Sequence, residues 1–149
     1  LADWAHWAAT EWPEHVHFAE GYNEQLAHQI FAGSDLFLMP SRFEPCGLAQ
    51  MQSMAYGTIP VVTDVGGLHD TVIDADADRR NGTGFLAKSV DVPGVVDALH
   101  RSVRAWRHKQ RRRGIQRRGM SADWSWTGPA AHHIELYEEM IQEAGLVQA

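Results

Sequence analysis

Apolar residues along the chain switch repeatedly between two spacings, and the switches divide it into short elements. Trp4, Trp7 and Ala8 recur at helical spacing over residues 2–11, and Pro13 follows as a stop, which predicts an amphipathic helix. His15-Val16-His17-Phe18 favours β structure and runs into Glu20-Gly21, so a strand at 14–18 followed by a turn is expected. Asn23 is placed to cap a helix bearing Leu26, Ala27, Ile30 and Phe31, with Gly33 to end it. Leu36-Phe37-Leu38-Met39 is then apolar without a break until Pro40, as in strands covered on both faces of a parallel sheet.

The alternation continues with a helix at 47–56 ending at Gly57, a strand at Ile59-Pro60-Val61-Val62, and a helical stretch from Gly66-Gly67 through Leu68, Thr71, Val72 and Ile73. Asp74 to Gly84 reads as a polar loop and Phe85-Leu86-Ala87 as a short final strand. Val95, Leu99 and Val103 fall four apart, beside Val96 and Trp106, giving helix 91–107 one apolar face. Asp123 to Trp126 connects to a last helix marked by Ile134, Tyr137, Met140 and Ile141. Strand and helix alternating, then a helical tail, predict an α/β fold: a Rossmann-like doubly wound parallel sheet with C-terminal helices. Trp4, Trp7 and Trp106 are expected in its core, and Trp124 and Trp126 are expected to pin the last helix.

Composition narrows the function classes. With 149 residues, 44% of them hydrophobic, the chain suits one domain over 1–149 with one core. A net charge of −6 offers no whole-chain attraction to nucleic acid or to an anionic membrane, and neither is an expected partner. Cys46 is the single cysteine, so no intrachain disulfide forms, and the cytoplasm is the expected compartment, or a plastid for a plant protein. The nine histidines fall into no zinc pattern, and no metal or cofactor is expected. Leu1 stands in helix-like sequence, so the chain is expected to start inside a larger protein. Nine of the thirteen Lys and Arg residues lie between Arg101 and Arg118 with no acid among them. That run reads as a solvated helix face or as a polyanion contact, and no aromatic interleaves with it after Trp106.

The candidate chemistry is in Pro40 to Gln50, just past the C-terminal end of a buried strand, where ligands of open α/β sheets bind. Pro45 suits a first helical position, which would leave the N–H groups of Cys46, Gly47 and Leu48 unpaired and ready for an anion. Glu44 is placed to accept hydrogen bonds from hydroxyls, or with Arg42 to cap the turn. Cys46 at a helix start is also a candidate reactive thiol.

Ser41-Arg-Phe-Glu-Pro-Cys-Gly-Leu48, Tyr56-Gly-Thr-Ile-Pro-Val-Val62 and Gly66-Gly-Leu-His-Asp-Thr-Val72 together resemble the signature of glycogen and starch synthases, which have the GT-B fold. Gly21-Tyr22-Asn-Glu24, Gly82-Thr-Gly-Phe85, Trp124-Ser-Trp126 and Glu135-Leu-Tyr137 are similar too, so the likeness covers nearly the whole chain. It implies the C-terminal, donor-binding part of a retaining glucosyltransferase that moves glucose from ADP-glucose to the non-reducing end of an α-1,4-glucan without a metal. It further implies that Tyr22 stacks on adenine and that Glu44 holds glucose hydroxyls or balances charge at the anomeric carbon. By the same likeness the amides of Cys46, Gly47 and Leu48 hold the distal phosphate, within a substrate loop that includes Ser41 and Arg42, near a second helix start at Gly66-Gly67. Gln52 departs from the wider superfamily, which often has a second acid there.

The resemblance also implies that a cationic clamp and the acceptor site belong to an N-terminal domain ahead of Leu1, so this piece alone is expected to be inactive. Two strands of the sheet would then be missing between strand 14–18 and strand 35–39. Either those two pair directly, or their exposed edges recruit another chain and the protein self-associates. Two further readings remain open: a GT-B transferase with another nucleotide sugar, UDP-linked donors included, and a noncatalytic polyanion-binding module acting through Arg101 to Arg118.

Overall fold

The computed structural model describes residues 1–145. Their elements run α1 (Ala2–Glu11), α2 (Glu24–Gly33), β1 (Leu36–Met39), α3 (Ala49–Ala55), β2 (Ile59–Thr63), α4 (Gly66–Thr71), β3 (Phe85–Ala87), α5 (Val92–Arg107), α6 (Lys109–Met120) and α7 (Thr127–Glu143). The three strands form one parallel sheet in the order β1-β2-β3, with Leu36 opposite Ile59 and Val61 opposite Phe85.

Every residue of β2 is buried, which accounts for its unbroken apolar run. Ile59 and Val61 join Phe85, Ala98, Ala105 and Ile115 on the side of α5 and α6. Val62 joins Met54, Leu68 and Val72 on the side of α3 and α4. Helices therefore cover both faces, the doubly wound α/β arrangement expected from the alternation. Fully burying each large aliphatic or aromatic side chain here stabilises the fold by roughly 1.5–3 kcal/mol.

The cap expected at Asn23 forms, and Asp91 supplies a second that the sequence reading did not single out. The Asn23 side chain accepts from the Leu26 amide at 2.9 Å to start α2, and Asp91 accepts from Gly94 at 2.8 Å to start α5.

Five expectations need correction. No strand forms at 14–18: residues 13–15 make a turn and 16–20 are irregular. A strand needs a neighbouring ladder for its amides, and this segment instead folds back on α1, with His6 Nε2 3.0 Å from Glu20 and the His6 ring edge-on to Phe18. The proposed direct pairing with strand 35–39 is thus not made. The helix expected at 47–56 begins only at Ala49, because Gly47 takes φ +71°, outside the helical region, which leaves Pro45 in a bend rather than at a first helical position. Strand β1, expected to be covered on both faces, is the outer strand of the three and leaves Leu38 exposed, because no further strand pairs beyond it among the described residues. The basic run does not belong to one helix. His108 is extended and separates α5 from α6, an element that apolar spacing did not reveal. Finally, Trp4 and Trp7 are exposed rather than in the core, and Trp124 and Trp126 are exposed as well.

Candidate functional site

The carboxyl ends of β1 and β2 carry two loops, Pro40 to Leu48 and Asp64 to Gly67, which pack on each other. Gly67 donates its amide to the Glu44 carbonyl at 2.9 Å. A side chain on Gly66 would collide with that same carbonyl, and one on Gly67 with the carbonyl of Cys46. The Gly-Gly pair is therefore a requirement of close backbone approach, and Gly66 also holds φ +44°.

Two buried side chains tie the Pro40 to Leu48 loop to the sheet and to the neighbouring helices. Thr63, at the end of β2, donates its hydroxyl to the Ser41 carbonyl at 2.5 Å. Gln50, fully buried on α3, donates to the Thr71 hydroxyl at 2.9 Å and to the Cys46 carbonyl at 3.3 Å. Its carboxamide oxygen meets no donor and lies against Gly47, where it would meet any added Cβ. The amides of Cys46, Gly47 and Leu48 donate to no acceptor among the described residues. Gly47 is buried and Cys46 and Leu48 are exposed, and all three precede α3, which starts later than the motif suggested.

Ser41, Glu44, Cys46, Gly47, Leu48, Gly66 and Gly67 are thus brought together on two touching loops. Arg42 is exposed and turns toward a recess of about 430 Å³ that it shares with Leu1, Pro40, Thr63, Asp91 and Val95. Tyr22 is not joined to them. It is 92% exposed, between α1 and α2, and lines a separate recess with Glu20, Asn23 and Leu26. Sequence reasoning missed Gln50, Thr63 and Thr71. Nothing in their spacing marks them, because each acts across 20 or so residues of chain.

Beside the site, Arg101 of α5 is the centre of a buried ion network. Its side chain, 9% exposed, reaches Asp74 at 2.9 Å, Asp76 at 3.1 Å, Asp97 at 2.9 Å and the Leu86 carbonyl at 2.5 Å. Asp74 in turn accepts from the amides of Leu86, Asp76 and Ala77, clamping the polar loop against β3. Burial pushes the Asp74 carboxyl up, but the hydrogen bonds from Arg101 and these amides outweigh it and hold it below its ordinary value. Arg111 also binds Asp76, Arg118 donates to the Gly82 carbonyl at 2.7 Å, and Arg112 lies over the Trp106 ring at 4.4 Å. Four of the nine basic residues of the run are accordingly turned inward, and Arg104, Arg107, Lys109, Arg113 and Arg117 are exposed. Near the loops, the exposed His69 ring stands 2.5 Å from Asp64, whose hydrogen bond and charge raise its pKa.

The chain is thus an α/β unit with a parallel sheet clad on both faces and glycine-lined loops at its carboxyl edge, and the model of the family "Glycosyl transferases group 1" matches residues 5–118. The chain belongs to that glycosyltransferase family. It is 46% identical to a glycogen synthase of Halorhodospira halophila over 93% of its own length and 29% of the relative's, and 49% identical to one of Paracidovorax citrulli over 84% and 25%. Among solved structures, the catalytic domain of starch synthase IV from Arabidopsis thaliana, bound to ADP and acarbose, superposes with a TM-score of 0.81 at 36% identity, over 92% of this chain and 29% of that one. The chain spans less than a third of the length of these relatives.

Proposed function

We propose that this chain is the donor-binding part of a cytoplasmic glucan synthase, which transfers glucose from ADP-glucose to the non-reducing end of an α-1,4-glucan with retention and without a metal. The observation that carries the reading is the seating of the Glu44 to Leu48 loop on Gly66-Gly67. It leaves three backbone amides unpaired at the carboxyl edge of a parallel sheet, in a chain similar to glycogen synthases and to a starch synthase solved with ADP.

In this reading the amides of Cys46, Gly47 and Leu48 hold the distal phosphate, and preorganised donors of this kind stabilise a departing diphosphate. Glu44 binds glucose hydroxyls, Ser41 and Arg42 line the sugar side, and Tyr22 supplies a flat aromatic face for the adenine. Tyr22 stands apart from the loops, so the nucleotide bridges them. The cationic clamp and the glucan-binding residues come from an N-terminal domain, and the 149 residues alone transfer no glucose. The polyanion alternative is weakened by the inward pairing of Arg101, Arg111 and Arg118.

Calorimetric titration with ADP, ADP-glucose and UDP tests this. Weak, specific ADP binding that Tyr22→Ala abolishes and Glu44→Ala leaves for ADP but weakens for ADP-glucose is expected. Absence of any nucleotide binding would overturn the claim that this chain holds the donor.

A further inference from the structure

Gln50 reaches from the first turn of α3 back into the loop that precedes the helix. It is fully buried, and its side-chain nitrogen donates to two oxygens, the Cys46 carbonyl at 3.3 Å and the Thr71 hydroxyl at 2.9 Å. The Thr71 hydroxyl donates its own proton to the Gly67 carbonyl at 2.5 Å. Gln50 is therefore joined to both loops of the site, to the first directly and to the second through Thr71. Among the described residues it is the only hydrogen-bond donor to the Cys46 carbonyl.

The chemistry of its neighbours fixes which way this carboxamide faces. Its oxygen is buried and meets no donor, and an unpaired buried acceptor costs free energy. Turning the group over would bring no relief. The Cys46 carbonyl only accepts, and the Thr71 proton lies on Gly67, so the turned oxygen would face two acceptors. The nitrogen accordingly stays on Cys46. The carboxamide also lies against Gly47, where an added Cβ would fall 2.5 Å from the Gln50 oxygen.

In a planar trans peptide the carbonyl and the following amide hydrogen point in opposite directions. The Cys46 carbonyl is held inward, between Gln50 and the space that a Gly67 side chain would need. The Gly47 N–H is thereby turned away from Gln50 and Gly67, and it donates to no acceptor among the described residues.

We propose that Gln50 is a positioning residue of the donor site: its hydrogen bond to the Cys46 carbonyl aims the Gly47 amide at the distal phosphate of the nucleotide. This rests on the donor-binding reading above and names a side chain on which that reading depends. Gln50 touches no ligand itself. It sets a donor in place beforehand, and a preorganised donor needs no reorganisation when charge arrives. Without it the Cys46–Gly47 peptide is free to rotate. The loss then falls on the distal phosphate and spares the adenosine end, which Tyr22 holds at a separate recess.

Calorimetry of the full 149-residue chain with ADP and with AMP, which lacks the distal phosphate, tests the assignment. The unaltered chain is expected to prefer ADP. Gln50→Met fills similar space without a donor, and it should weaken ADP by about tenfold while AMP affinity stays unchanged. Equal weakening of both nucleotides would mean a merely structural role and would sink the proposal. So would a variant that keeps the full preference for ADP. Circular dichroism reports whether methionine unfolds the chain. In that case Gln50→Glu replaces it in mildly alkaline buffer: the carboxylate has the same shape but cannot donate, and the preference should again be lost, its survival counting against the assignment. An unaltered chain that binds ADP and AMP equally would refute the role of Gln50 while leaving nucleotide binding intact. One that binds neither would overturn the donor-binding reading itself, and this assignment with it.

Discussion

Gly67 donates its amide to the carbonyl of Glu44 at 2.9 Å, and the Cys46 carbonyl occupies the space a Gly67 side chain would need. Backbone cannot yield as a flexible side chain can, so Gly67→Ala should cost about 1–3 kcal/mol through overpacking and weaken ADP binding by displacing the Glu44 loop. Gly33→Ala, in open space at the end of α2, should be unchanged or up to about 1 kcal/mol more stable. Urea denaturation of both variants checks this, and equal midpoints would mean that the two loops are not held in contact.

Thr63 is buried, and its hydroxyl is the link between the end of β2 and the Ser41 carbonyl. Thr63→Val keeps the shape and deletes the donor, with an expected loss of about 1–2 kcal/mol. If the loop matters for nucleotide, ADP affinity falls in step. Calorimetry that finds ADP binding intact in this destabilised variant would separate the link from the donor site.

Replacing Arg101 by Met strands Asp74 in the interior without its cation, and breaking a buried pair in this way costs about 3–5 kcal/mol. The pH dependence has a definite sign. Asp74 and Asp76 are both held below their ordinary values, against the upward push of burial, by hydrogen bonds from Arg101, and for Asp76 also from Arg111. Their stabilisation is complete above the unfolded carboxylate value of about 3.9 and is lost as pH falls through the lower folded values. Denaturant midpoints measured from pH 6 downward should therefore drop steeply in the unaltered protein and more gently in Arg101→Met.

His69 titrates in the opposite sense. The hydrogen bond and charge of Asp64 favour its imidazolium, so its pKa lies above the ordinary 6.5. Any stability from the pair is present below that value and fades as pH rises through the raised one. An NMR titration of the His69 ring should show the elevation, and Asp64→Asn should remove it; an unchanged titration in the variant would assign the shift elsewhere.

Local patterning determined a good deal of this protein by itself. The all-apolar Ile59 to Val62 had to be an interior parallel strand, since a strand with one wet face alternates, whereas the equally apolar Leu36 to Met39 became the outer strand with Leu38 exposed, which its own residues could not announce. Asn23 was legible as a helix start, because its side chain satisfies an amide three residues away. The loop from Ser41 to Leu48 and the Gly66-Gly67 pair stood out as chemistry for the same reason, as short runs whose meaning is local. Tertiary structure alone decided the rest. Whether His15 to Phe18 becomes a strand depends on a partner ladder, which no property of those residues supplies. Whether Arg101 is a solvated charge or the centre of an ion network depends on Asp74 and Asp76, more than 20 residues away. And that Gly67 meets Glu44, with Thr63 on Ser41 and Gln50 on Thr71, follows from packing α3 and α4 on one face of the sheet, a relation between elements that no spacing within either one encodes.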